Sequence, residues 1–472
     1  MTGGVTGLLE LSIAEAAKLI ERKEISPVEL VDASLDRIAS TNGELKAFIA
    51  VYAEQARAAA RGFETLAHVG HLIGPLHGIP IALKDNIAVK GLTTTAGSRV
   101  LGQWVPDEDA TVTARLKGAG AIIVGKTNMH EFAWGGTTDN PHYGTCRNPW
   151  DKSRFTAGSS GGSGVAIAVR AAFGALGTDT GGSIRLPSAI NGIVGIRPTI
   201  GRVSNAGVIP LAWTMDTVGP MTSSVRDCAL MFNAVAGFDP RDPGSAVEPT
   251  MDYTADLGLG IRGLRIGVVP DYFFSHLQPA VERSVRDALT VFEGLGASVN
   301  DVRIAHIHGN ISAQLTVESC EPSTYHQRWL REDPTRYGED VRSLLEIGEL
   351  LPATAYLQAQ RYRQLLREEF IRAFKFVDVF VCPTLPFTAT PAGATTVVID
   401  GEPEDMLSAI MQYTGVPSLT GMPSLNIPCG FDSDGLPIGM QIIGRPFDEG
   451  TLFRVGAAFQ EATDYHTRRP TV

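Results

Sequence analysis

Cysteine is scarce in this sequence: five residues, Cys146, Cys228, Cys320, Cys382 and Cys429, are scattered through 472 positions without a Cys-x-x-Cys pair. An odd, dispersed set excludes a disulfide framework and a zinc ribbon, and the thiols read as reduced packing groups. No run approaches the roughly 18 apolar residues that a membrane span needs. The N-terminus carries acids and an amphipathic pattern where a signal peptide would have a basic start and an apolar stretch. The expectation is a cytoplasmic protein with no membrane partner. Blocks of basic residues are also missing: 40 Lys and Arg are interspersed among 51 Asp and Glu, for a net charge of -11, which argues against a nucleic-acid partner. Internal repeats and low-complexity tracts are absent. What is present is 44% hydrophobic and 19% charged residues, enough apolar matter for one large core.

Along the chain, Ser12-Ile13-Ala14-Glu15 and Ser26-Pro27-Val28-Glu29 have the form of capping boxes, the second with proline at the first helical position. Residues 1–65 therefore read as a helical N-terminal region, with Val31, Leu35 and Ile38 on one face. The run from Gly78 to Leu83 stops abruptly at Lys84, as a buried strand ending at a loop would. Ala121–Gly125, Arg265–Val269, Val379–Cys382 and Ile438–Ile443 are further strand candidates, and helical stretches such as Ala110–Lys117 alternate with them. That alternation predicts a layered α/β sheet. Tyr362, Leu365, Leu366, Phe370 and Phe374 form a helical stripe read as core, and residues 236–262 and 386–405 read as long surface loops.

The segment Phe155-Thr156-Ala157-Gly158-Ser159-Ser160-Gly161-Gly162-Ser163-Gly164 admits several chemistries. A phosphate-binding loop would close with a Lys-Ser or Lys-Thr pair, and a dinucleotide fingerprint would follow an apolar strand; neither is found. Gly158-Ser159-Ser160-Gly161-Gly162 fits the Gly-x-Ser-x-Gly nucleophile elbow, with Ser160 as nucleophile. The elbow needs a strand running into it, however, and residues 148–154 are polar and broken by proline. A second glycine-rich patch, Gly177-Thr178-Asp179-Thr180-Gly181-Gly182-Ser183-Ile184-Arg185-Leu186-Pro187, follows the small apolar segment Val165–Phe173. Its consecutive unencumbered backbone N–H groups suit an oxyanion held close to an attacking serine.

Together the two serine-glycine motifs and Ala82-Leu83-Lys84-Asp85-Asn86 resemble the amidase signature family of serine hydrolases, at intervals that agree: 75 residues from Lys84 to Ser159 and 24 from Ser159 to Ser183. The resemblance covers nearly the whole chain, with the signature core at residues 75–230, and implies a single α/β domain over residues 1–472, layered helix-sheet-helix around a large mixed sheet with the N-terminal helices packed outside it. Ala157 departs from the glycine of many relatives, and little consequence is expected from one methyl. Membership implies a Ser-cisSer-Lys triad: Ser183 as nucleophile forming an acyl-enzyme, Ser159 in a cis peptide with Gly158 relaying the proton, and Lys84 as the base. Lys84 can serve only if burial lowers its pKa from about 10.4. Thr180, Gly181, Gly182 and Ser183 are the expected oxyanion hole, and Met129, Phe132, Trp134, Gly158 and Trp213 the expected substrate contacts. No metal and no organic cofactor are expected, and the resemblance implies a homodimer in contact through the N-terminal helices.

Other readings compete with these residue by residue. A lone lysine after a strand is usually a solvated edge residue, and only the serine motifs change that reading. Ser160 and Ser163 read as structural, Asp179 and Arg185 as a buried pair fixing the hole loop, and His306 and His308 as surface residues without a third ligand. The predicted function is an amidohydrolase acting on a small-molecule amide, an uncharged aryl or alkyl amide, with hydrazides and esters as related substrates. An alternative is the glutaminase component of a tRNA-dependent amidotransferase. The charged groups that such a glutaminase needs for glutamine fall near Ser343 or Leu344 and near Met411, where this sequence has no charge. A non-catalytic scaffold with the same fold is the alternative of another class.

Overall fold

In the computed structural model, which describes residues 5–472, eleven strands form one mixed sheet with helices packed on its faces. The layered α/β expectation holds. Both N-terminal capping boxes form as read: the Ser12 and Ser26 side chains accept from the backbone N–H groups of Glu15 and Glu29, whose carboxylates accept in return. They start the helices Ile13–Glu21 and Pro27–Leu45, and Val31, Leu35 and Ile38 are buried beneath the latter. The N-terminal region is not wholly helical, however. Phe48–Val51 pairs antiparallel with Ile122–Thr127 as an edge strand of the sheet, and Phe48 is buried against one end of the core.

The six neighbouring strands at that end all come from residues 48–222, in the spatial order Phe48–Val51, Ile122–Thr127, Pro80–Lys84, Gly174–Asp179, Thr217–Thr222, Val194–Arg197. Pro80–Lys84 lies parallel to both of its neighbours, Ile122–Thr127 and Gly174–Asp179. Ser424–Phe431 joins this half to Pro437–Gly444, Val379–Pro383, Arg265–Val268 and Ser298–Asp301. All five residues of Pro80–Lys84 are buried, so the strand reads as a continuous apolar run without alternation.

Gly174–Asp179, which carries no strand signal in the sequence, is a fully buried strand, and its small residues are required by close neighbours: a methyl on Gly174 would meet Met231 Sδ. Two local expectations need correction. Residues 396–405 fold as a two-stranded hairpin, Thr396–Ile399 with Glu402–Asp405, which covers an apolar cluster around Met406 and Ile410. On the helix Ala353–Ala373, Leu366 and Phe370 are core, but Leu365 points outward and is 38% exposed. Residues 236–262 do run without helix or strand.

Candidate active site

Lys84, Ser159 and Ser183 come from three separate elements: the end of the central strand Pro80–Lys84, the turn before the helix Gly161–Ala168, and the turn after the strand Gly174–Asp179. Lys84 closes a strand whose preceding side chains are all apolar, so its amine emerges inside the protein. It is fully buried, stands 2.7 Å from Ser159 Oγ, and donates to Thr178 Oγ1 at 2.8 Å. Burial pulls its pKa from 10.5 down to about 7; Asp179 and Asp216 act in the opposite sense but more weakly. An amine in this position exchanges its proton near neutral pH.

The Gly158–Ser159 peptide is cis. A methyl on Gly158 would come 2.8 Å from the backbone nitrogen of Thr138, which leaves no space for a side chain. The Ser159 carbonyl accepts from the His130 backbone N–H at 3.2 Å, and the next N–H, that of Ser160, donates to the Ser183 carbonyl at 3.2 Å. The two serine turns are thereby tied directly to one another. Ser183 keeps 7% exposure while Ser159 and Lys84 keep none, so of the three only Ser183 is open to an incoming molecule. The N–H groups of Gly181, Gly182 and Ser183 find no protein acceptor among the described residues. Unpaired backbone donors beside a serine are what an oxyanion requires.

The loop is braced from below. Asp179 is held between Arg185 and Arg197, each 2.9 Å from Oδ1, and all three are fully buried. Burial alone would raise the Asp179 pKa, but the two guanidinium groups hold it well below the usual carboxylate range. Thr180 Oγ1 donates to Asp216 Oδ1 at 2.5 Å, and Thr414 Oγ1 donates to the Gly181 carbonyl at 2.7 Å. Ser160 Oγ donates to the Thr178 carbonyl at 3.1 Å, and Ser163 Oγ to the Leu176 carbonyl at 3.1 Å, so both hydroxyls bond strand backbone.

The family model for amidases matches residues 29–453 of the chain. The sequence is 42% identical to an amidase of Pseudomonas putida, covering 99% of each chain. It is 41% identical to the glutamyl-tRNA(Gln) amidotransferase A chain of Roseiflexus castenholzii, again over 99% of both. A bacterial aryl acylamidase of the amidase signature family superposes with a TM-score of 0.89 at 29% identity, over 98% of this chain and 99% of that one. The chain belongs to the amidase family. It is an amide-hydrolysing enzyme.

The amidase has a cavity of about 350 Å³, walled by His130, Trp134, Thr137, Ser343, Leu344 and Ile410 among others but by none of Lys84, Ser159 and Ser183. His130 connects it to the site through the Ser159 carbonyl, and Met411, next to Ile410, packs against Gly181. Of the expected substrate contacts, Trp134 lies on this cavity. Met129 and Phe132 lie in the buried cluster behind it, with Phe132 against His326 and Tyr337. Trp213 is elsewhere: 46% exposed, it borders a different cavity of about 490 Å³ with Glu321 and Tyr356. It is carried there by the turn that presents the Leu211 and Ala212 N–H groups to Asp216.

Sequence reasoning assigns no role to Thr178, although it sits inside the second motif. A threonine hydroxyl at a strand end next to the Lys84 strand is the available signal. His306 pairs with Glu369 and His308 rests on Tyr272; among the described residues neither belongs to a cluster that could hold a metal ion.

Proposed function

We propose that this amidase cleaves uncharged aryl or alkyl amides through an acyl-enzyme on Ser183, with Ser159 and Lys84 as its proton relay. The single observation that carries the reading is a fully buried Lys84 amine 2.7 Å from Ser159 Oγ, with a pKa brought by burial to about 7. Neutral Lys84 takes the Ser159 proton as Ser159 takes that of Ser183, and the freed Ser183 oxygen bonds to the carbonyl carbon. The carbonyl electron pair moves onto oxygen beside the free N–H groups of the Gly181–Ser183 turn. The same relay, reversed, protonates the leaving nitrogen as the C–N bond breaks, and water then releases the acid by the corresponding steps.

The substrate class rests on the cavity that the His130 backbone links to Ser159. Trp134, Leu344, Met406, Leu407 and Ile410 give it apolar walls; His130, paired with Asp340, and Asp405 also line it, but among the described residues no lysine or arginine does. Ser343 and Leu344 stand on its wall and Met411 against the hole turn, at the positions where a glutamine-binding site would need charge. A free α-carboxylate would be desolvated there without a cation. The enzyme read this way is free-standing, acts as a homodimer on small molecules, and needs no metal or organic cofactor.

The amidotransferase component is the second reading, favoured by relatives such as the Roseiflexus protein. Purified protein assayed with benzamide, a propionanilide and glutamine separates the two. Release of amine or ammonia from the uncharged amides at least tenfold faster than from glutamine supports the free-standing hydrolase. The reverse order makes the chain a component of an amidotransferase.

A further inference from the structure

The helix Asn310–Glu332 passes the hole turn and carries a row of buried polar side chains at intervals of four: Asn310, which lies against Gly415, then Gln314 and Glu318. The last two pack on Gly181. A methyl added there would come 2.5 Å from Gln314 Nε2 and 2.6 Å from Glu318 Oε1, so these atoms touch the Cα face of a residue whose N–H is one of the unpaired donors. Gln314 Nε2 donates to Glu318 Oε1 at 3.2 Å. The proton relay contains neither residue, and a buried glutamate within contact of an anion-stabilising turn opposes that turn's purpose whenever it is charged.

We propose that Glu318 is a positioning residue of the amidase: the Gly181–Ser183 turn stabilises an oxyanion only while an uncharged, Gln314-bonded carboxyl group packs on Gly181. The inference rests on Ser183 being the nucleophile. The groups that face Glu318 are Asp216 and Asp179, both acidic, and Arg197, whose guanidinium is already committed to the Asp179 carbonyl and carboxylate and to the Met215 carbonyl. Burial foremost, with the two aspartates adding to it, raises the Glu318 pKa to about 8, against the Gln314 hydrogen bond and Arg197, which act in the opposite sense. Below that pH the group is a neutral acid; above it a carboxylate forms beside the turn. Reactivity of Ser183 therefore falls on the alkaline side. An ordinary lysine-serine relay, which only gains free base as pH rises, does not produce that decline.

The test uses a fluorophosphonate probe, which needs no knowledge of the substrate. Ser183 oxygen bonds to phosphorus, fluoride leaves, the serine proton passes through Ser159 to Lys84, and the phosphoryl oxygen takes the place of the oxyanion. Labelling rates are followed from pH 6 to 10 in the wild type, Glu318→Gln and Glu318→Met. The wild-type rate is expected to fall by about tenfold across pH 8 to 9.5. Both neutral variants, their folding checked by thermal melts, are expected to keep that rate flat or rising. An unchanged alkaline decline in both variants overturns the inference while leaving the triad intact. Loss of labelling at Ser183 in the wild type at every pH removes the triad reading and this inference together.

Discussion

Lys84 and Lys126 lie one register position apart on adjacent parallel strands, both fully buried, yet only Lys126 has a carboxylate partner, Asp85 Oδ1 at 3.0 Å. Burial lowers the pKa of Lys126 as well, but the Asp85 carboxylate opposes that shift and Thr94 Oγ1 accepts from the amine at 3.0 Å, whereas Lys84 faces hydroxyl groups, which accept hydrogen bonds but do not offset a charge.

Activity should follow the deprotonation of Lys84. kcat/KM for an uncharged amide is expected to rise through about pH 7 and, in Glu318→Gln, to level above it. Lys84→Ala should lose roughly a thousandfold or more, with an unchanged circular-dichroism spectrum. Lys84 also couples to stability. Between about 7 and 10.5 the unfolded chain holds a proton that the folded protein does not, so this group makes stability rise with pH across that window. Urea unfolding of Lys84→Met should show a shallower rise than the wild type.

Removing the partner of Lys126 should be costly instead. Asp85→Asn leaves a buried ammonium without its counter-charge, and a loss of about 3–5 kcal/mol is expected. Chemical denaturation measures it, and an Asp85→Asn, Lys126→Met double variant should recover part of the loss.

Asp179 is the corresponding element under the hole turn. Because Arg185 and Arg197 hold its pKa down, its contribution to stability is present above the ordinary aspartate pKa and is lost as pH falls below it. Asp179→Asn strands two buried guanidinium groups, so thermal melts at neutral pH should show a large drop, with kcat falling alongside as the turn loosens.

Ala157 does not sit as harmlessly as its single methyl suggests. Its φ is 56°, in the left-handed region where a Cβ is disfavoured. Ala157→Gly should relieve this and stabilise the protein by about 0.5–1 kcal/mol, after the greater chain entropy of glycine is subtracted. Calorimetry on the two proteins decides it.

Much of the site is legible in the chain because each of its parts ends a local pattern. Lys84 closes an apolar run, and the serine motifs combine glycines in an order that ordinary turns do not need. The capping boxes at Ser12 and Ser26 are likewise complete within four residues. Other elements have no local signature. Gly174–Asp179 is a strand whose faces are both buried, so small residues replace the alternation that marks a half-exposed strand. Phe48–Val51 is four residues long and takes its strand character from Ile122–Thr127, far along the chain. Gln314 and Glu318 look like the solvated face of a helix; only the return of the chain at Gly181 makes them buried. Trp213 follows the signature closely in sequence, but its turn carries it to the neighbouring cavity.

The proposed catalysis turns on a neutral Lys84 amine that would activate Ser183 through Ser159. Mass spectrometry of fluorophosphonate-treated protein at pH 7.5 is the decisive measurement, using the wild type, Lys84→Ala, Ser160→Ala and Ser183→Ala. One adduct is expected, on the peptide carrying Ser183, kept in Ser160→Ala, absent from Ser183→Ala, and formed at least about a hundredfold more slowly in Lys84→Ala. An adduct on Ser160, or labelling of Lys84→Ala at the wild-type rate, would show the relay to be wrong.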